Sequence, residues 1–191
     1  MAGLVVGALD GRARGLIRRL REAARTDPLT GLLNRTGFNE AFALELARAG
    51  RGGDGFALLV GDLDRFKLIN DRLGHQEGDR ALERVSAVLN EWARHGDRIA
   101  RLGGEEFALL AHADSSAEAE ALAERLRTRV RELFAHEAVP VTISFGVAVY
   151  PHDGEDADAL LLAADRALYA AKESGRNRTA RAEAVLTPQP A

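Results

Sequence analysis

The chain has 191 residues, 46% of them hydrophobic and 29% charged, with no cysteine and a formal net charge of −3. Such figures fit one globular domain with appendages and exclude disulfides, thiolate metal sites and an overall basic field for duplex nucleic acid. No apolar run approaches the ~18 residues that cross a bilayer. The nearest is residues 4–9, so a cytoplasmic protein, or a cytoplasmic piece of a larger one, is expected, with no membrane segment in this chain.

Residues 11–25 are basic and helix-like, with Ala13, Ile17, Leu20 and Ala24 spaced as a short coiled-coil seam. The expectation is a connecting helix over residues 1–25, stopped by Pro28 in the turn cluster Thr26-Asp27-Pro28-Leu29-Thr30-Gly31. Asn34 is placed to cap a helix through Phe38, Phe42 and Leu46 towards Ala49. Residues 56–60 form a continuous apolar run, as in a strand buried on both faces. That run ends at Asp62 and Asp64, where carboxylates need a cationic partner. Alternate strand residues point the same way, so the two acids could share a ligand if the strand reaches them; capping the next helix is the alternative for Asp64. A short helix follows and is interrupted at residues 74–79. From Asp79, itself a candidate N-cap, Leu82, Val85, Leu89 and Trp92 share one helical face.

Two strand-like runs, residues 98–102 and 107–111, flank Gly103-Gly104, which reads as a tight hairpin because glycine reaches positive φ without steric cost. Glu105 and Glu106 sit at that turn, where like charges repel and strand propensity is poor. Asp114-Ser115-Ser116 offers N-caps for a long helix with Ala117, Ala121, Leu122, Leu126, Val130 and Leu133 inward, ending before Pro140. Residues 141–150 read as a strand and residues 151–154 as a turn. In the last helix Leu160, Leu161, Ala164, Leu168 and Ala171 face inward, Lys172 lies in the last turn and Gly175 is the C-cap. Periodicity is lost from about Thr179, and residues 179–191 read as a disordered tail. His75, His95, His112, His136 and His152 share no metal spacing. The order contains a β-α-β-β-α-β unit, hence an α/β (α+β) fold with a ferredoxin-like sheet and helices covering one face. Of the 26 basic residues, two are lysines, Lys67 and Lys172; lysine is a compact cation that binds phosphate without a planar fork.

Gly103-Gly104-Glu105-Glu106-Phe107 resembles the signature of the GGDEF family of diguanylate cyclases in its G-G-E-E-F form. Other blocks agree in order. Asp27-Pro28-Leu29-Thr30-Gly31-Leu32-Leu33-Asn34-Arg35 resembles the family's opening, and Asp62-x-Asp64-x-Phe66-Lys67-x-x-Asn70-Asp71 with Gly74-His75-x-x-Gly78-Asp79 its next two blocks. Ser144-Phe145-Gly146-Val147-Ala148 and a run from Ala164 to Asn177 complete a resemblance over residues 26–178. It implies that two GTP molecules condense to cyclic di-GMP and two pyrophosphates. Asp62, Glu105 and the Leu63 carbonyl would hold Mg²⁺ or Mn²⁺, two ions per GTP, and Glu105 or Glu106 would assist 3′-hydroxyl deprotonation. Asn70 and Asp79 would read guanine, with His75 in the same loop; Phe66, Lys67, Lys172 and Arg176 would take the triphosphate. One site holds one GTP, so the family chemistry implies a homodimer with sites facing each other. Arg94-x-x-Asp97 matches the family's product-binding inhibitory motif, and Arg125 a secondary arginine donated by a neighbouring protomer. The alternative is a catalytically silent GGDEF-like domain that senses GTP or cyclic di-GMP.

Overall fold

The computed structural model describes residues 24–113 and 115–182. Along them run α1 (Arg35–Ala49), β1 (Phe56–Asp64), α2 (Phe66–Leu73), α3 (His75–Trp92), β2 (Arg98–Gly103), β3 (Glu106–His112), α4 (Ser116–Leu133), β4 (Thr142–Tyr150), α5 (Ala157–Glu173) and β5 (Thr179–Arg181). They build one sheet in the order β2-β3-β1-β4-β5. The first four strands pair antiparallel and β5 joins β4 in parallel. The β-α-β-β-α-β unit expected from the sequence is present.

β1 is central because its sequence is apolar on both sides, and both sides are covered. Ala57, Leu59 and Leu63 pack with Leu82, Val85 and Leu89 of α3 and with Leu122, Leu126 and Val130 of α4. Leu58 and Val60 pack oppositely, with Phe38 and Phe42 of α1 and with Leu160, Ala164 and Leu168 of α5. The expected single covered face is therefore corrected: α1 and α5 lie outside the core unit and close the second face. Truncating a fully buried leucine such as Leu59 in such a core costs about 2–5 kcal/mol. Alternation along β1 carries Asp62 and Asp64 onto the α1/α5 face.

Gly146 lets α5 lie directly on the sheet. A Cβ at that position would stand 2.0 Å from the Ala164 carbonyl oxygen and 2.3 Å from the Leu168 nitrogen. The helix backbone thus rests on the strand backbone, which sets where the last turn of α5, with Lys172, arrives.

Several local expectations hold. Asn34 caps α1, its Oδ1 accepting from Gly37 N–H at 3.0 Å; Ser115 caps α4 through Glu118 N–H at 3.2 Å. Others are corrected. The buried stripe of α4 is Ala119, Leu122, Ala123, Leu126 and Val130, while Ala117 and Ala121 are exposed; alanines occur on every side of this helix, so the branched residues set its phase. α3 starts at His75 behind Gly74, whose φ is 87°, so Asp79 lies inside the helix and is not its cap. Asp64 is no cap either, since α2 starts after Arg65, which has φ 57° and no side-chain capping bond. The C-cap of α5 is Ser174, with Gly175 next at φ 118°. Thr179–Arg181 is a strand, not the start of a tail. The rest of the expected tail from residue 183, and the connecting helix up to residue 23, lie outside the described residues. No helix among the described residues is long and apolar enough to cross a membrane.

Candidate active site

The hairpin between β2 and β3 turns through Gly103 (φ 148°) and Gly104 (φ 52°). Glu106 pairs back with Gly103 and across with Asp62 on β1. Opposed residues in an antiparallel pair share a sheet face, so Glu106 and Asp62 stand on the same side. Leu63 N–H donates to the Glu105 carbonyl at 3.2 Å, tying the turn to the end of β1. From the other flank Arg101 Nε donates to the Gly104 carbonyl at 2.9 Å.

Asp62 Oδ1 lies 2.9 Å from Lys172 Nζ, and the Asp62 side chain is 14% exposed. Burial pushes the Asp62 carboxyl above its ordinary value; Lys172 opposes this, while the negative charges of Glu106 and Asp64 reinforce it. Glu105 is pushed up for the same reasons, burial first and then the charges of Asp62 and Glu106, with Lys172 opposing. Glu106 itself lies 3.6 Å from Arg35 Nη2. Three acids within electrostatic reach of one another, faced by the Lys172 ammonium and, at the outer edge, the Arg35 guanidinium, still carry excess negative charge that a hard divalent cation would neutralise. Lys172 already sits as a cation against Asp62. Among the described residues no three His, Asp or Glu side chains are gathered as a complete metal cage. The donor set fits an ion that arrives with a nucleotide and takes phosphate oxygens as its other ligands, as magnesium does.

α2 opens where β1 ends, with Phe66 buried and Lys67 exposed. The first N–H groups of a helix have no intrahelical acceptor and suit phosphate. Asn70 lies over Gly78: a Cβ there would stand 2.0 Å from Asn70 Oδ1. Asp79 is the next residue, exposed, and His75 is exposed at the start of α3. Arg176 is exposed four residues beyond Lys172, in the left-handed region at φ 60°.

Arg94 and Asp97 form a closed turn. Arg94 N–H donates to Asp97 Oδ2 at 2.7 Å and Asp97 N–H to the Arg94 carbonyl at 3.1 Å. Arg94 Nη1 meets Glu118 Oε1 of α4 at 2.6 Å. Burial raises the Asp97 carboxyl, opposed by Arg94 and by Arg125. Arg125 thus acts on Asp97 electrostatically from within the same chain, and its Nε is buried with no hydrogen-bond partner among the described residues. A cavity of about 370 Å³ opens beside Arg94, His95 and Asp97.

Residues 24–178 match the family model described as "Diguanylate cyclase, GGDEF domain". The chain belongs to the GGDEF family. It is 44% identical over 160 residues to the cyclic di-GMP phosphodiesterase NbdA of Pseudomonas aeruginosa, covering 83% of this chain and 20% of that protein. To the diguanylate cyclase DgcP of the same organism it is 42% identical over 161 residues, covering 83% of this chain and 24% of the relative. The GGDEF chain therefore spans about a fifth to a quarter of the length of these curated relatives. The crystal structure of the coiled coil and GGDEF domain of DgcB from Caulobacter crescentus, in complex with c-di-GMP, superposes with a TM-score of 0.83 at 33% identity, covering 92% of this chain and 95% of that one.

Two residues of this GGDEF domain, Arg35 and Arg101, escape a reading of the sequence for site chemistry. Arg35, on α1, faces Glu106. Arg101 reaches both the signature turn and Asp27. Asp64, read from the sequence as a possible co-ligand of Asp62, has both carboxylate oxygens accepting from the protein itself, from Thr142, Ser144 and the Asn177 N–H. Thr142 and Ser144 at alternate positions on β4 are the available signal, readable once the β1–β4 register is known.

Proposed function

We propose that this GGDEF domain is a diguanylate cyclase, condensing two GTP molecules to cyclic di-GMP and two pyrophosphates with Mg²⁺ or Mn²⁺. The observation that carries the reading is the meeting of Asp62, Glu105 and Glu106 at the end of β1, two of them with raised carboxyls. Asp62, Glu105 and the Leu63 carbonyl would hold the cation. When bound, it supplies Lewis acidity at the α-phosphate and neutralises triphosphate charge. A carboxyl held above its ordinary value is a stronger base, which suits Glu105 to take the 3′-hydroxyl proton; its neighbour Glu106 is the other candidate by position. The ribose 3′-oxygen of one GTP then bonds to the α-phosphorus of the other, and pyrophosphate leaves. Lys67, Lys172, Arg176 and the first N–H groups of α2 neutralise the triphosphate. Asn70 and Asp79 meet the guanine edge, whose N1–H and N2–H₂ donate and whose O6 accepts; His75 borders them.

Each protomer offers one such site, so two protomers facing each other complete the reaction. Arg94, Asp97 and Arg125 form the product-binding inhibitory site. A GTP substrate places this activity in the cytoplasm. The phosphodiesterase name of NbdA does not carry over, since the shared segment is 20% of that protein. The test is incubation of the purified protein with GTP and Mg²⁺, with the product read by chromatography and mass. Cyclic di-GMP formed at a rate per protomer that rises with protein concentration is expected; GTP bound without turnover favours the silent sensor.

A further inference from the structure

Asp64 ends β1 on the face of Asp62, yet its carboxylate is occupied by the protein itself. Oδ1 accepts from Ser144 Oγ at 2.7 Å; Oδ2 accepts from Thr142 Oγ1 at 2.6 Å and from the Asn177 N–H at 2.9 Å. The residue is 7% exposed. Its partners lie 78, 80 and 113 residues further along the chain. The third contact is the informative one. The Asn177 N–H belongs to the peptide joining it to Arg176, and both residues are left-handed, at φ 60° and 47°. Consecutive left-handed L-residues persist only where their surroundings over-determine them. Here Asp64 holds the backbone, while Arg127 Nη1 of α4 holds Asn177 Oδ1 at 2.7 Å. Beyond the turn the Arg178 carbonyl accepts from Phe145 N–H at 3.0 Å and β5 begins.

We propose that Asp64 is a positioning residue for triphosphate binding: it pins the Arg176–Asn177 peptide and so presents Arg176, four residues after Lys172, to the nucleotide's phosphates. The inference rests on the proposed reading of this end of the sheet as a GTP site. Removing the carboxylate leaves the part-buried Asn177 N–H without its acceptor and frees the two left-handed residues. The phosphate end then loosens, while Asn70 and Asp79, carried by α2 and α3, keep their places.

The test uses the full chain, a non-cyclising GTP analogue with an α,β-methylene bridge, and guanosine. Asp64→Ala is expected to weaken the analogue about tenfold, leave guanosine unchanged, and raise KM more than it lowers kcat. Asp64→Asn restores most of the affinity, because its amide oxygen in the Oδ2 position still accepts from Asn177 N–H and Thr142 Oγ1, while the Ser144 hydroxyl turns to accept from its NH₂. In an Arg176→Ala background Asp64→Ala adds less than about twofold, as expected of residues acting through one contact. Equal weakening of both ligands, no weakening, or independent losses in the double variant each overturn the proposal. Should Asp64→Ala not fold, Thr142→Val with Ser144→Ala keeps the carboxylate and removes two of its restraints; an unchanged analogue affinity in that folded variant also overturns it. Wild-type protein that binds the analogue but makes no cyclic di-GMP from GTP overturns the cyclase reading and leaves the binding comparison intact.

Discussion

Arg101 joins the opening turn of the domain to its signature hairpin: Nη1 lies 3.2 Å from Asp27 Oδ1 while Nε holds the Gly104 carbonyl at 2.9 Å, one residue before Glu105. Both side chains are largely buried, at 14% and 18% exposure. Asp27 also accepts from Thr30 N–H and Oγ1 at 2.9 and 2.7 Å. Arg101→Ala is expected to cost about 2 kcal/mol, in the range for a hydrogen bond to a charged group, with a further loss of turnover as Glu105 drifts. Thermal melts and initial rates on one preparation check both.

The same pair gives a pH dependence. Burial works to raise the Asp27 carboxyl, but the Thr30 and Arg101 bonds outweigh it and hold it below the ordinary value. A carboxyl lowered on folding contributes stability that is complete above its unfolded value, roughly pH 4, and is lost as pH falls through the lowered one. Wild type minus Asp27→Asn should therefore show a stability difference that is flat at neutral pH and shrinks below about pH 4. A difference that grows on acidification contradicts the assignment.

At the end of β1 the sign reverses. Asp62 and Glu105 are raised on folding, so their ionisation destabilises the metal-free protein at neutral pH, and that cost disappears as pH falls through the raised values. Asp62→Asn or Glu105→Gln should lower cyclase activity by at least about 100-fold, the scale for a lost charge-stabilising group, yet raise the melting temperature of the metal-free protein. Mg²⁺ with a GTP analogue should then stabilise wild type and not the variants, which differential scanning detects.

A substitution at Gly78 would separate the proposed guanine recognition by Asn70 from stability. Replacing a helix glycine by alanine ordinarily gains up to about 1 kcal/mol. Here the new methyl would lie 2.0 Å from Asn70 Oδ1 and 3.2 Å from Phe66 Cζ. Asn70 has a side chain that can swing aside, so the fold should survive while guanine loses a partner. We expect KM for GTP to rise about tenfold in Gly78→Ala with the melting temperature within a few degrees of wild type. A melting temperature that collapses together with activity contradicts this.

Glu118 pairs with the arginine of the proposed inhibitory motif. Its carboxylate meets Arg94 at 2.6 Å, so cyclic di-GMP bound there must displace it. Glu118→Gln is expected to tighten product inhibition about threefold, and Arg94→Ala to abolish it; inhibition curves at fixed GTP decide.

Much of this was legible in the chain because it is local. The Asn34 cap, the apolar run of β1 and the Gly103–Gly104 turn each depend on neighbours within a few residues. The partners of Asp64 were not legible, since each lies 78 or more residues away. β5 was missed because three residues pairing in parallel leave no periodic trace. Asp79 looked like a cap because Gly74 suggests a long interruption, whereas the backbone turns through that one residue and resumes helix at His75. The Arg94–Asp97 spacing was visible; Glu118, from another helix, was not.

Gly146 has a consequence at a distance. By having no side chain it lets α5 descend until strand and helix backbones touch, and that depth decides whether an ammonium on the final turn can meet Asp62. Enlarging this position to alanine would lift the helix like a shim under a lever, moving Lys172 most. A charge balance at the business end of the domain is thus tuned by a methyl group withheld from the middle of β4.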